Sequence, residues 1–433
     1  MTYTETLDFL FNQLPAYHRV GAAAYKANLD NTQALMQHLG HPEEAFAAVH
    51  VAGTNGKGSV SHMLAAILHR AGLKVGLYTS PHLVDFRERI RIDGQMIEKD
   101  YVTRFVEQNL DFFRQHELSF FEMTVGLAFD YFRNERVDIA VVEVGMGGRL
   151  DSTNVVHPRL SVITNIGFDH TQFLGDTLEK IAGEKAGIIK AGVPVVIGQT
   201  QEETAPVFVR RAEELGAPIT FADRHFEVRP LCSSPDGMEA DISLDGQPYA
   251  RGVRCQLGGI YQLKNVATLC GAVEELRRQG FAIGTEAFGE GLAHVVDDTG
   301  LRGRWQQVGS NPTTICETAH NADGIAELMR KLQTLRYGRL HLVYGCVNDK
   351  DYGHILDMLP ADATYYFTRP SVQRGLDQEL LAATARQHGR VGETFPDVMS
   401  ALRAARMAAR EDDLVLVTGS IFLVADLLEK LDV

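Results

Sequence analysis

The chain has 433 residues, an apolar share of 45%, and 42 basic against 56 acidic residues, a formal balance of −14. That length can hold two or three domains, and the acidic surplus excludes a non-specific nucleic-acid or anionic-membrane binder, which needs a basic face. Five cysteines, Cys232, Cys255, Cys270, Cys316 and Cys346, lie scattered without a C-x-x-C pair, so reduced, packed thiols in a cytosolic protein are expected.

In chain order, residues 3–14 and Thr32–Leu39 have amphipathic helical spacing. The start, MTYTETLDFLFNQLP, lacks the basic head and long apolar core of a secretion signal. No apolar run reaches membrane-spanning length, and the expected compartment is the cytoplasm. Val49 and Val51 mark a short buried strand and Ser61–Arg70 a helix, with Gly53-Thr54-Asn55-Gly56-Lys57-Gly58-Ser59 in the turn between them. Such a turn suits a phosphate: the first N–H groups of a helix lack partners, and glycines let the backbone close on an anion. Lys57 adds a mobile cation, and the Ser59 hydroxyl can reach a metal riding on the phosphates. The order departs from strict G-x-x-x-x-G-K-[ST], because Gly58 separates lysine from serine.

Strands follow at Val75–Tyr78, 138–144, 160–164 and Val193–Ile197, alternating with helices near 101–116, 122–134 and 177–190. This alternation predicts a parallel, doubly wound sheet. Residues 218–256 read instead as a small antiparallel excursion, with Pro235-Asp236-Gly237 and Asp245-Gly246 as turns. A helix over 262–279 precedes a polar link, DDTGLRG at 297–303, after which alternation resumes. Its strands fall near 313–318, 340–346, 364–368 and 413–418, and its helices near 321–335, 376–388, 395–409 and 421–431. A second, smaller α/β domain is expected there.

Polar groups cluster where strands end, the place where open α/β sheets carry their sites. Glu143 ends an apolar run and is followed by the glycine-rich Gly145–Asp151. A carboxylate buried there needs a partner, which either Mg²⁺ beside a triphosphate or an arginine would supply. Asn165, Asp169 and His170 follow the next strand, and Glu317-Thr318-Ala319-His320-Asn321 falls at a strand-to-helix junction of the second domain, with Asn321 as a plausible cap. Gly345–Asp351 and Gly419-Ser420 end two more strands there. Composition alone makes Glu184-Lys185-Ala186-Gly187 a solvated helix end.

These segments together resemble the folylpolyglutamate synthetase and dihydrofolate synthetase family, within the ATP-dependent amide ligases that include the muramoyl amino-acid ligases. The resemblance rests on GTNGKGS at 53–59, TSPHL at 79–83, ERIRIDG at 88–94, FFEMT at 120–124 and VEVGMGGRLDSTN at 142–154. It continues through DHTQFLG at 169–175, EKAGI at 184–188, GIYQLKN at 259–265, GRW at 303–305, TAHN at 318–321 and GSIFLV at 419–424. It implies a P-loop-type, mainly parallel sheet domain with a small antiparallel sheet over 1–298, and a Rossmann-like domain over 299–433. It further implies that Gly53–Ser59 hold ATP, that Ser59, Ser80, Glu143 and His170 surround Mg²⁺, and that Lys185 is carbamylated into a metal ligand. Asn265, Arg304 and Glu317 match nucleotide contacts, although the family usually has Asp at the position of Glu317. Arg89, Phe121, Thr124, Asp151 and Asn154 lie in segments resembling the pterin and folate pocket, and His320 and Ser420 match positions near an incoming glutamate. Lys57, Lys185 and His320 would serve catalysis, a monovalent cation could assist, and no partner subunit is demanded, so a monomer is expected. The expected activity joins L-glutamate to dihydropteroate, to reduced folates, or to both. A muramoyl ligase is the nearest rival, but only about fifty residues precede the phosphate turn, too few for its usual leading domain. A nucleotide switch that makes no amide would leave TAHN and GSIFLV unexplained.

Overall fold

The computed structural model describes residues 1–13, 28–234, 237–348 and 352–431. The last residue of the expected 3–14 helix, the Pro235-Asp236 turn and the end of Gly345–Asp351 lie outside them. Strands β1 (Ala47–Ala52), β2 (Val75–Tyr78), β3 (Ile90–Ile92), β4 (Gln95–Met96), β5 (Ile139–Glu143), β6 (Leu160–Ile163), β7 (Val195–Ile197) and β8 (Ile219–Phe221) form one sheet in the order β4-β3-β2-β5-β1-β6-β7-β8. All pairs from β2 to β8 are parallel, while β3 and β4 fold back as an antiparallel edge.

Strand order reverses around β1: the chain leaves it for β2 and β5 on one side and resumes at β6 on the other. Loops leaving the carboxyl ends of β1, β5 and β6 therefore share one crevice, which is where a doubly wound sheet binds its ligand. Both sheet faces are covered. The helix Lys57–Arg70 buries Val60, Met63, Leu64, Ile67 and Leu68 completely, together with residues of the helix Gln262–Arg278. At about 1.5–3 kcal/mol for each large side chain, that stripe fixes the phosphate turn to the sheet. Helices Lys99–Gln115 and Phe120–Asn134 cover the opposite face with an aromatic core that includes Tyr78, Phe105, Phe113, Phe120 and Phe129.

Strands β9 (Phe226–Ser234), β10 (Gly237–Leu244) and β11 (Gln247–Cys255) make a separate antiparallel sheet. Residues 219–221, expected in that excursion, instead extend the main sheet parallel to β7. The second large sheet contains β12 (Gln306–Ser310), β13 (Thr313–Cys316), β14 (Leu340–Tyr344), β15 (Thr364–Phe367), β16 (Gly392–Thr394) and β17 (Leu414–Thr418) in the order β12-β13-β17-β14-β15-β16. Only β12 runs antiparallel. Apolar clusters lie on its two faces, so the mixed α/β architecture with a separate carboxyl-terminal domain agrees with the sequence expectation.

Direct contacts tie the two halves. Lys264 pairs with Glu327 at 2.7 Å, the Lys331 ammonium donates to the Ser233 hydroxyl at 2.7 Å, and the side-chain amides of Asn55 and Asn321 bond reciprocally at 3.2 and 3.0 Å. Cys255, Cys270, Cys316 and Cys346 are buried free thiols and Cys232 is exposed. Among the described residues no helix is long and apolar enough to cross a membrane.

Candidate active site

Lys57, Gly58 and Ser59 occupy the first turn of their helix, and the glycine turn itself is shorter than the sequence suggests. Gly56 caps that helix at φ +87°, and a Cβ there would stand 2.3 Å from Asn265 Oδ1. Only glycine combines the left-handed backbone with so close an approach. Gly56→Ala should therefore weaken ADP binding by about 1–3 kcal/mol, read by calorimetry, with the far-UV spectrum unchanged.

The Lys57 ammonium donates to the carbonyls of Gly53 at 3.1 Å and Thr54 at 3.2 Å. Lys185 donates to the same Gly53 carbonyl at 2.8 Å from the last turn of the helix Leu178–Ala186. The structure corrects the composition-based expectation for Lys185: it is not a solvated helix end but 5% exposed. Burial, with the Lys57 charge adding to it, brings the Lys185 ammonium down to about 7, so neutral amine is present at neutral pH. Glu184 remains outward and pairs with Arg149 at 2.8 Å.

Glu143 ends β5 buried, and its carboxylate accepts from the Ser80 N–H at 3.2 Å. Burial raises its pKa, opposed by the charges of Lys57, Arg304 and Arg89. A Cβ on Gly58 would lie 3.8 Å from both Glu143 oxygens and 3.8 Å from Arg304 Nη2. An arginine of the second domain thus reaches the first turn of the phosphate helix. The Ser59 hydroxyl accepts from Gln262 at 3.2 Å, and Gln262 also accepts from Asn265 at 2.7 Å.

One cleft of about 360 Å³ is lined by Gly53–Ser59, Ser80, Glu143, His170, Lys185, Asn265, Arg304, Glu317 and His320. His320 turns Nδ1 to the Thr318 carbonyl at 2.9 Å and Nε2 toward Asp169 at 3.5 Å, so the two lobes meet there as well. Glu317 accepts from the Tyr261 hydroxyl and, at 2.8 Å, from the Trp305 N–H. Its longer side chain braces the Gly303–Trp305 turn that carries Arg304. Glu317→Ala would orphan both donors, and a loss of about 2–4 kcal/mol should appear as a lowered Tm.

Arg89, Phe121, Thr124, Asp151, Asn154 and Ser420 do not line the cleft. Asp151 accepts from the Met146 N–H at 2.9 Å and the Thr153 N–H at 3.0 Å, bracing the glycine-rich loop from within. Asn154 ties that loop to the Lys185 helix by donating to the carbonyls of Arg149 at 3.0 Å and Gly187 at 3.1 Å. Thr124 donates to the Phe120 carbonyl at 2.7 Å, and Arg89 donates to His82 at 2.7 Å while lying over the Phe120 ring. Ser420 is buried one residue before Ile421, which does line the cleft. Tyr261, Gln262 and Asp169 take part in the site although sequence reasoning gave them no role there; the first two stand inside GIYQLKN and the third beside His170.

Two family models match the chain: the Mur ligase middle domain over residues 51–273 and the Mur ligase glutamate ligase domain over residues 303–421. The chain is 34% identical over 417 residues to the dihydrofolate synthase/folylpolyglutamate synthase of Bacillus subtilis, covering 94% of this chain and 95% of that protein. It is 36% identical over 433 residues to a Haloferax volcanii protein named a probable bifunctional folylpolyglutamate synthase/dihydropteroate synthase. There it covers 98% of this chain but spans only half, 50%, of that relative. The solved structure of E. coli FolC in complex with DHPP and ADP has a TM-score of 0.87 at 29% identity, covering 100% of this chain and 98% of that one. With family models matched on both sides of the link and a relative of near-equal span, the chain belongs to the dihydrofolate synthase/folylpolyglutamate synthase family of ATP-dependent ligases built from Mur ligase domains.

Proposed function

We propose that the cleft joins L-glutamate to an acid bearing a pterin ring, accepting both dihydropteroate and the γ-carboxylate of reduced folates, by way of an acyl phosphate. The observation that carries this reading is the convergence of Lys57, Glu143 and Lys185 with Arg304, Glu317 and His320 on one cleft from two lobes. A carboxylate is a poor electrophile until an oxygen of it is phosphorylated. The γ-phosphoryl group passes from ATP to that oxygen and ADP leaves. The glutamate amine then attacks the acyl carbon, and the adduct expels inorganic phosphate to leave an amide.

Backbone N–H groups of Gly53–Ser59 and the Lys57 ammonium hold the phosphates, and Arg304 brings a second positive charge beside them. Asn265 stands against the turn and Glu317 fixes Arg304 from behind. His320, oriented by the Thr318 carbonyl, would meet the glutamate, with Ser420 buried behind Ile421 on that side. Phe121, Arg89, Thr124, Asp151 and Asn154, none of which lines the cleft itself, would support the side taken by the ring-bearing acid from behind that lining. We place the hinge at the link between 1–298 and 299–433; closure there keeps water from the acyl phosphate.

Ser59, Ser80, Glu143 and His170 would hold Mg²⁺, with a carbamate on Lys185 as a further oxygen ligand. Among the described residues the one group of three close-set histidine and acid ligands is the surface set His41, Glu43 and Glu44, so the cleft is no closed protein cage. That fits Mg²⁺, which takes one or two carboxylates and fills its shell with phosphate and water. When bound it supplies neutralisation of the phosphate charge.

The test is phosphate release from ATP with L-glutamate present, with and without dihydropteroate or tetrahydrofolate. Release that depends on each acceptor supports the reading, and an acceptor-independent rate contradicts it.

A further inference from the structure

A second cavity, of about 360 Å³, shares no lining residue with the cleft. One wall is the run Tyr249–Arg254 of β11, and the other is a face of the helix Thr285–Ala293 that includes Thr285, Phe288, Gly289 and Ala293. Arg277 and Glu290 complete the lining. Side chains alternate across a strand, so six consecutive residues border one space when it runs along the strand's edge.

β11 is an edge strand that pairs with β10 alone. Among the described residues the backbone of Tyr249–Arg254 bonds only to β10, the Gly252 N–H going to the Asp241 carboxylate at 2.9 Å. Just beyond the strand the Gln256 N–H donates to the Leu292 carbonyl at 3.0 Å, which fixes the spacing of the two walls. The groove is therefore bordered by an open row of peptide groups, the feature that adds an extended chain to a sheet.

Its charge runs against that of the whole chain. Three arginines, Arg251, Arg254 and Arg277, line it with one acid, Glu290, in a protein of formal balance −14. Arg277 is occupied: it donates to the Tyr249 hydroxyl at 2.7 Å and the Ile283 carbonyl at 2.8 Å, and it pairs with Glu274. Arg251 and Arg254 are exposed. Asp241, whose charge interacts with that of Arg251, pairs with Arg229 at 3.3 Å. Glu239 stands opposite Arg254 in the strand register, and no ion pair closes between them among the described residues. Two guanidinium forks thus remain for carboxylates brought by a ligand.

Carboxylates for the forks and amides for the edge are the two groups that alternate along a γ-linked glutamyl chain, where each residue adds one chain amide and leaves one α-carboxylate beside it. We propose that this groove binds the oligo-γ-glutamyl tail of a folate, as a second site for the polymer made in the cleft. This rests on the reading of reduced folates as acceptors and adds a contact with their extended products. An inorganic anion would use the arginines and leave the edge idle.

The double variant Arg251→Gln, Arg254→Gln tests it. Both side chains are exposed and neither lines the cleft, so Tm and the KM values for ATP, L-glutamate and tetrahydrofolate should hold. With the cleft filled by ADP, L-glutamate and tetrahydrofolate, calorimetric titration of the unaltered chain with tri-γ-L-glutamate should show one saturable site. The double variant should bind about tenfold more weakly, the scale of two exposed charge pairs. Absence of binding to the unaltered chain, or equal binding by the variant, overturns the proposal. Equally tight binding of tri-α-L-glutamate also overturns it, because the groove would then take any acidic peptide. Displacement of the tripeptide by inorganic phosphate at matched concentration does so too, leaving an anion site only. A raised KM for L-glutamate in the variant, or its failure to fold, would assign the arginines to the cleft or to the scaffold and overturn it likewise. Failure of the underlying reading looks different: the unaltered chain would then form no ADP in response to tetrahydrofolate, whatever the titration gives.

Discussion

Lys57→Ala is expected to lower kcat by about a thousandfold, the scale on which a preorganised charge beside a transferring phosphoryl group acts. The side chain is half-buried and among the described residues bonds only to the carbonyls of Gly53 and Thr54, so the fold should survive with a near-native circular dichroism spectrum. The same ammonium also depresses the pKa of Lys185, which shares the Gly53 carbonyl. Losses from the two lysines should therefore fall well short of additive in the double variant. Steady-state kinetics of single and double variants provides the check, and wild-type turnover in Lys57→Ala would remove the phosphate-site assignment.

Lys185→Ala should cost nearly as much, and here the loss should be partly reversible. Addition of CO₂ to the neutral amine forms a carbamate and turns a cation that cannot bind a metal into an oxygen anion that can. Burial beside Lys57 already favours the neutral amine. Acetate or formate should restore part of the activity of Lys185→Ala by entering the space the side chain leaves. Independently of activity, ¹³C NMR of the unaltered protein in labelled bicarbonate should show one carbamate carbon that the variant lacks. A fully active variant, or a spectrum without that signal, would remove the carbamate from the account.

How far the sequence carried the reading depends on the range of the interactions. The phosphate turn, Glu143 and the Thr318–Asn321 junction were legible because each is a short motif at the carboxyl end of a strand, and strand order alone brings such ends together. Lys185 was not. Four residues of mixed charge say nothing of the long-range packing by which Arg149 and Asn154 dock on the end of its helix. Residues 187–190, expected to continue that helix, leave it after Ala186. The β3–β4 edge was missed although Asp93-Gly94 carries a turn signal, with both residues at positive φ; strands of three and two residues are too short for alternation to register. Residues 219–221 were assigned to the wrong sheet because a three-residue strand takes its partner from tertiary contacts that no local pattern encodes. The acceptor residues show a third case. Asp151 and Asn154 could be named from a motif, but only the structure shows them holding a loop from within.

The central claim is that a carboxylate is phosphorylated in the cleft before the amine arrives, and oxygen transfer tests it most directly. Tetrahydrofolate or dihydropteroate carrying ¹⁸O in the reacting carboxylate should be turned over with ATP and L-glutamate, and the released inorganic phosphate examined by mass spectrometry. The account predicts one labelled oxygen in the phosphate for each amide formed. Phosphate released without label while the amide accumulates would contradict it.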